Sequence, residues 1–410
     1  MVEKIKNANW RSFIFIFLCG VFLGVSFFKV PPAIPTLMEY FQCSVAEAGW
    51  MMSWCSVAGT IIAFFTGSIQ SKIGPKAMVI GAMGFTMLSI VVGLLAPNLT
   101  VFMASQFIGG LGNGFIATGA PTLIAVLFKD PAKRGLPNSI WATWTACGSL
   151  IMLNLFALII GTFGTWQSVW VFSLVAVALV TVIAVFGIRV DKAEALSLAQ
   201  GSAEVKLSKG LTNPYVILLC ILFICFAFGF SVWAAMAPTY MQTVVGLDMA
   251  TANGLSSITT VTGIVGSLIV GVILNKCKNQ PGVMLVVMIL VGIVMCMELI
   301  FTTPLSMVVV AILVGLVLNA APPCFFSNVQ WASPDPSVMG AAFGVLAIGA
   351  NFGGIPAANT IGAIVDATQG NWAMGTIPLA IVATIGIVCA IIFYIGCSKK
   401  ALAATDAVQK

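Results

Sequence analysis

Residues 78–96 read MVIGAMGFTMLSIVVGLLA, nineteen positions without a charge, an amide side chain or a proline. A helix needs about 20 apolar residues to cross a bilayer, whereas a membrane β-strand needs only about 10 alternating ones. Backbone N–H and C=O groups in lipid must be satisfied within their own segment, so such a run is a helix. The same texture returns at 283–297 and along most of the chain. Of the 410 residues, 60% are hydrophobic and 7% are charged, against about 25% charged in soluble domains. So few charges cannot clothe a water-facing surface. The expected fold is an all-α integral membrane protein.

Working outward from that run, apolar segments fall at roughly 12–38, 45–69, 78–96, 100–128, 136–161 and 167–188. A polar stretch follows at 189–213. Six more segments lie at roughly 214–241, 250–274, 282–302, 304–331, 337–366 and 372–396. The expectation is twelve transmembrane helices in two six-helix bundles, 1–188 and 214–398, with a cytoplasmic linker at 189–213 and a tail at 399–410. Residues 12–28 are too long for a signal-peptide core and lack a small-residue cleavage site, so they read as the first span.

Charge placement tests the count, because Lys and Arg collect in cytoplasmic loops. With the N-terminus inside, 17 of the 18 Lys and Arg residues fall in cytoplasmic segments. A wrong number of spans would scramble that alternation. Both termini are therefore expected in the cytoplasm and the protein in the cytoplasmic (inner) membrane. The net charge of +6 follows from topology, and nucleic acid is not an expected partner.

The two halves echo each other. Pro35-Thr36-Leu37-Met38 matches Pro238-Thr239-Tyr240-Met241 at an offset of 203, and Ala48-Gly49 answers Asn253-Gly254 at 205. Gly67 and Lys72 answer Gly271 and Lys276 at 204, and Ala120-Pro121 answers Ala321-Pro322 at 201. Four matches in order at nearly one offset indicate pseudo-symmetric repeats, an organisation suited to alternating access.

At this point the sequence resembles the major facilitator superfamily. Gly67-Ser-Ile-Gln-Ser-Lys-Ile-Gly-Pro-Lys76 is similar to its loop 2–3 signature, G-x-x-x-D-[RK]-x-G-x-[RK], with Ser71 where the acid is usual. Two stretches resemble the cyanate/nitroimidazole porter group within it. They are Lys29-Val-Pro-Pro-x-x-Pro35 and Arg134-Gly-Leu-Pro-Asn-Ser-Ile-Trp-Ala-Thr-Trp144. The resemblance implies a twelve-helix transporter with a small organic or inorganic anion as substrate. It also implies a conformational gate at Gly67, Lys72, Gly74, Lys76 and Arg134, although Arg134 reads equally as a lipid-headgroup contact.

Lys29 is the one Lys or Arg outside the cytoplasmic segments. At 1.5 Å per residue it lies roughly 25 Å along the first helix from Ser12. A charge at the centre of a bilayer costs at least about 2.5 kcal/mol unless compensated, and an anionic substrate would compensate it. The competing reading is a side chain that snorkels to the outer headgroups. Trp141 and Trp144, three apart on one helical face, read either as indole donors to an anion or as an interfacial aromatic belt. Asn113, Asn319, Asn328 and Asn351 read either as substrate ligands or as hydrogen bonds between helices. Trp233 joins the substrate-binding candidates because its span corresponds to the first. Glu298 and Asp366 read either as proton carriers or as acids at the outer surface.

Other chemistries find no purchase. There is no histidine, and the eleven cysteines are scattered without a CxxC pair, which suits small buried hydrophobes. Gly109–Gly114 has the look of a nucleotide loop but follows no strand. No HExxH, paired acids or nucleophile motif marks an enzyme, and no cofactor is expected. The expected function is secondary active transport, symport or antiport, of a monocarboxylate-like or cyanate-like anion by a monomer in contact with lipid, with a proton as a further partner. The alternative is multidrug efflux by proton antiport, which predicts an acid in a membrane cavity.

Overall fold

The computed structural model describes residues 2–128, 135–191, 193, 195–196, 212–332 and 336–408. The regular structure of the described residues is helical, without strands. The first part carries α1 (Val2–Phe27), α2 (Val30–Phe41), α3 (Val45–Ala63), α4 (Thr66–Ile73) and α5 (Pro75–Leu94). It continues through α6 (Leu99–Leu127), α7 (Gly135–Trp141), α8 (Trp144–Phe163) and α9 (Trp166–Gly187). The second part carries α10 (Pro214–Thr243), α11 (Met249–Lys276), α12 (Gln280–Met297) and α13 (Pro304–Leu318). Then follow α14 (Ala321–Ala332), α15 (Pro336–Phe352), α16 (Gly354–Ala367) and α17 (Thr376–Val408).

Helices begin where a short polar side chain can accept from the first free N–H groups. Asn98 accepts from Val101 N at 3.0 Å to start α6, and Asn213 accepts from Tyr215 N at 2.9 Å to start α10. Asp248 starts α11 by accepting from the N–H groups of Ala250 and Thr251, both at 3.0 Å, and from the Thr251 hydroxyl at 2.6 Å. Those bonds, the hydroxyl first, hold the Asp248 carboxyl below the usual carboxylate range. Thr303 and Ser306 form a reciprocal capping box at α13. Proline stands at the first turn of α5, α10, α12 and α13, where its missing N–H costs nothing.

Ten described segments are long and apolar enough to cross a bilayer. The bent pair α3 and α4, at 64° to each other, makes an eleventh if taken as one span. The expected span at 337–366 is broken at Gly353 into α15 and α16, of 17 and 14 residues. With it the architecture is that of about twelve helices. The first span breaks between α1 and α2, because Pro31 and Pro32 lack amide donors and crowd the carbonyls of Phe27 and Phe28. Two features differ from the sequence expectation. Several spans are broken helices rather than single rods, and α17 runs on to Val408, through the expected tail. Most of the expected linker, 189–213, lies outside the described residues.

The chain divides into two compact units, Met1–Cys43 with Trp54–Glu204 and Ser44–Ser53 with Val205–Lys410. In the first unit α5 packs along α6, and α1 packs on α8 and α9. Gly24 and Gly148 bring α1 and α8 close: a Cβ on Gly148 would stand 2.7 Å from the Gly24 backbone. Small residues at such crossings supply the van der Waals contact that holds helices together in lipid. In the second unit α10 packs on α15, α16 and α17, α12 on α17, and α11 on α13. Trp233 Nε1 donates to Thr259 Oγ1 at 3.1 Å, tying α10 to α11.

Candidate functional site

Lys29 sits in the break between α1 and α2 and is 2% exposed. Its ammonium donates to the Ser26 carbonyl at 2.6 Å and to the Ser26 hydroxyl at 2.9 Å. The carbonyl belongs to the last turn of α1, where C=O groups have no helical partner and the helix dipole is negative. The same nitrogen lies 5.1 Å from the centre of the Trp170 ring, inside the range of a cation–π contact. Cys55 is close enough to interact with it electrostatically. All of these groups are neutral, and among the described residues no carboxylate pairs with Lys29. The side chain is therefore inside the first unit and not spread along its surface.

Trp141 and Trp144 stack, with ring centres 5.6 Å apart and planes at 24°. Trp141 is buried at 8% exposure, pressed on α1 where a Cβ at Gly20 would stand 2.8 Å from its ring. The tryptophan pair and Lys29 thus share α1, one about two turns before its end and the other just past it. Asn113 is half-buried on α6 in the same unit.

The other candidates lie in the second unit. Trp233 is buried and spends its N–H on Thr259. Asn319, Asn328 and Asn351 each donate to the carbonyl four residues earlier, of Gly315 at 3.2 Å, Cys324 at 2.8 Å and Ala347 at 3.0 Å. Asn328 is fully buried, and its Oδ1 has no hydrogen-bond partner. Glu298 follows α12, is 0% exposed, and neither carboxyl oxygen has a hydrogen-bond partner. Asp366 is exposed and accepts from Val45 N at 3.2 Å and Ala46 N at 2.9 Å, at the start of α3.

The loop between α4 and α5 has a tight, tied structure. Gly74 ends α4 and begins α5 at φ +84°, a conformation that side chains rarely adopt. Lys76 donates to the carbonyls of Val185 at 3.0 Å and Ile188 at 2.7 Å, capping the end of α9. A groove of about 520 Å³ lined by Lys76, Ile188, Arg189 and Asp191 lies beside that tie. Lys72 stands in the last turn of α4, and Gly67 has open space around it. Arg134 lies outside the described residues.

Three neighbours of Lys29 were not singled out from sequence: Ser26, Cys55 and Trp170. Ser26 carries a local signal, since it precedes Lys29 by three residues at a helix end. Trp170 is 141 residues away, and only folding brings it near.

The comparisons with known proteins fit this architecture. The family model described as Major Facilitator Superfamily matches residues 16–358. The uncharacterized transporter YybO of Bacillus subtilis (strain 168) is 23% identical over 94% of this chain and 94% of its own length. The niacin transporter NiaP of Acinetobacter baylyi is 29% identical over 30% of each chain. The multidrug resistance protein MdtG of Yersinia enterocolitica is 28% identical over 37% of each. With a family match over most of its length and membrane-crossing helices throughout, the chain belongs to the Major Facilitator Superfamily, as a multi-pass membrane transporter and not an enzyme.

Proposed function

We propose that this transporter moves a small organic or inorganic anion, monocarboxylate-like or cyanate-like, by alternating access. One observation carries the reading: the Lys29 ammonium is buried among neutral partners. Hydrogen bonds and a ring face lower the cost of burying the cation, but they leave its charge uncancelled. An anionic guest is the partner that cancels it. The niacin transporter among the relatives is compatible with such a cargo. Trp141, Trp144 and Asn113 are the further ligands proposed in the same unit, and Trp233, Asn319, Asn328 and Asn351 those in the other.

Glu298 is the proposed carrier of a coupling proton. A carboxylate buried without a donor is costly to hold as an anion, which suits a group that takes up and releases a proton. Asp366 was the other candidate, and its oxygens are both engaged at α3.

The test is uptake of labelled acetate, cyanate and nicotinate into proteoliposomes, with and without a pH gradient. Lys29→Gln should abolish uptake while the protein still inserts and purifies normally. Undiminished uptake by that variant removes the role of Lys29. Transport of a cationic dye in place of every anion would point to efflux instead.

A further inference from the structure

We propose that Trp170 is the positioning residue of the anion site, holding the Lys29 ammonium in place with its ring face without neutralising it. The inference rests on the reading of Lys29 as the anion ligand.

Both hydrogen-bond acceptors of Lys29 belong to one residue, Ser26, three positions earlier. They tether the ammonium to the end of α1 but do not hold it from across the bundle. Trp170, on α9, supplies that second point of contact at 5.1 Å. Its ring is itself locked. Trp166 meets it edge to face at 4.9 Å, and Phe102 of α6 packs on it at 5.8 Å. Its nitrogen edge lies against Gly93 of α5, where an added Cβ would come 3.0 Å from both Trp170 Nε1 and Ser105 Oγ. Three helices thus fix the ring, and the ring fixes the cation.

A second observation says why the residue is tryptophan. Trp170 is fully buried, and its Nε1 has no hydrogen-bond partner. A buried donor without an acceptor is a standing cost that phenylalanine would not carry. What tryptophan offers in return is the strongest ring face for a cation. An acid at this place would bind Lys29 more tightly but would cancel the charge that an anion needs. The π-face attracts the ammonium without supplying a formal counter-charge of its own.

The experiment compares Trp170→Leu, Trp170→Phe and Lys29→Gln with the native chain in proteoliposomes, using labelled cyanate and labelled nicotinate as probes. Trp170→Leu should raise KM about ten-fold, equivalent to about 1.4 kcal/mol, with Vmax and purified yield little changed. Trp170→Phe should fall between it and the native protein, and it remains informative if the leucine variant does not fold. Variants that lose yield or Vmax at an unchanged KM would make Trp170 a packing residue and overturn the proposal, even while Lys29→Gln stays inactive. Normal uptake by Lys29→Gln, or no uptake of either probe by the native chain, would instead remove the anion reading on which the proposal stands.

Discussion

Two side chains of the Lys, Arg, Asp and Glu types, Lys29 and Glu298, are buried among the described residues, and they are buried in different ways. Lys29 has a carbonyl, a hydroxyl and a ring face within reach. Glu298 has no hydrogen-bond partner for either oxygen. Its proposed role makes a separable prediction. Glu298→Gln keeps the size and neutrality of the buried acid, so the protein should fold and should still exchange anion across the membrane. Uptake by that variant should no longer increase when a pH gradient is imposed. A native-like response to the gradient would show that the proton is carried elsewhere. The sequence left Glu298 open between a proton carrier and an acid at the outer surface. Depth along a helix is legible in a sequence, but whether that level faces lipid headgroups or protein depends on neighbours it does not specify.

At the scale of the elements, helix starts are the most readable features. Asn98, Asn213, Asp248 and Thr303 stand immediately before their helices, and each accepts from the first turn. Such caps act locally, so their signal lies in adjacent residues. Asp248 gives this a pH dependence. Its carboxyl is held below the usual range in the folded protein, so its contribution is present above the ordinary carboxylate pKa of about 4. That contribution fades as pH falls through the lowered folded value. Asp248→Asn should therefore melt below the native protein in detergent at neutral pH, and the two should converge in acid. Equal melting temperatures at neutral pH would refute the contribution of the carboxylate's charge, since asparagine keeps the capping oxygen. The breaks at Phe64–Phe65 and Gly353 are less legible. A bend within an apolar run leaves composition unchanged, whereas Pro31 and Pro32 remove amide donors at the break they follow.

For the whole molecule, hydrophobic run length and the alternation of Lys and Arg were enough to anticipate a many-helix membrane protein, and the internal repeats with the superfamily resemblance added that it is a transporter. Lipid admits few alternatives, since spanning segments must be helices or a closed barrel. Orientation has its own check. Cys277, between α11 and α12, is exposed, and the charge pattern puts its loop in the cytoplasm. In a variant keeping only that cysteine, an impermeant maleimide should label inside-out vesicles and spare intact cells, and the reverse pattern would invert the topology. The site was less legible than the frame. Lys29 stood out because a lone cation is conspicuous against an apolar background. Trp170 did not, because an aromatic in an apolar span looks like any other until the chain is folded.

The bond between Asp366 and the start of α3 has a consequence for how the protein is made. The carboxylate that completes the second span is encoded 321 residues after the first amide it receives. A ribosome delivers Val45 and Ala46 to the membrane long before it reaches their acceptor. Until then those amides must rely on water or headgroups, and a nascent chain released before residue 366 never acquires this closure. The start of α3 is thus completed only by a span inserted much later.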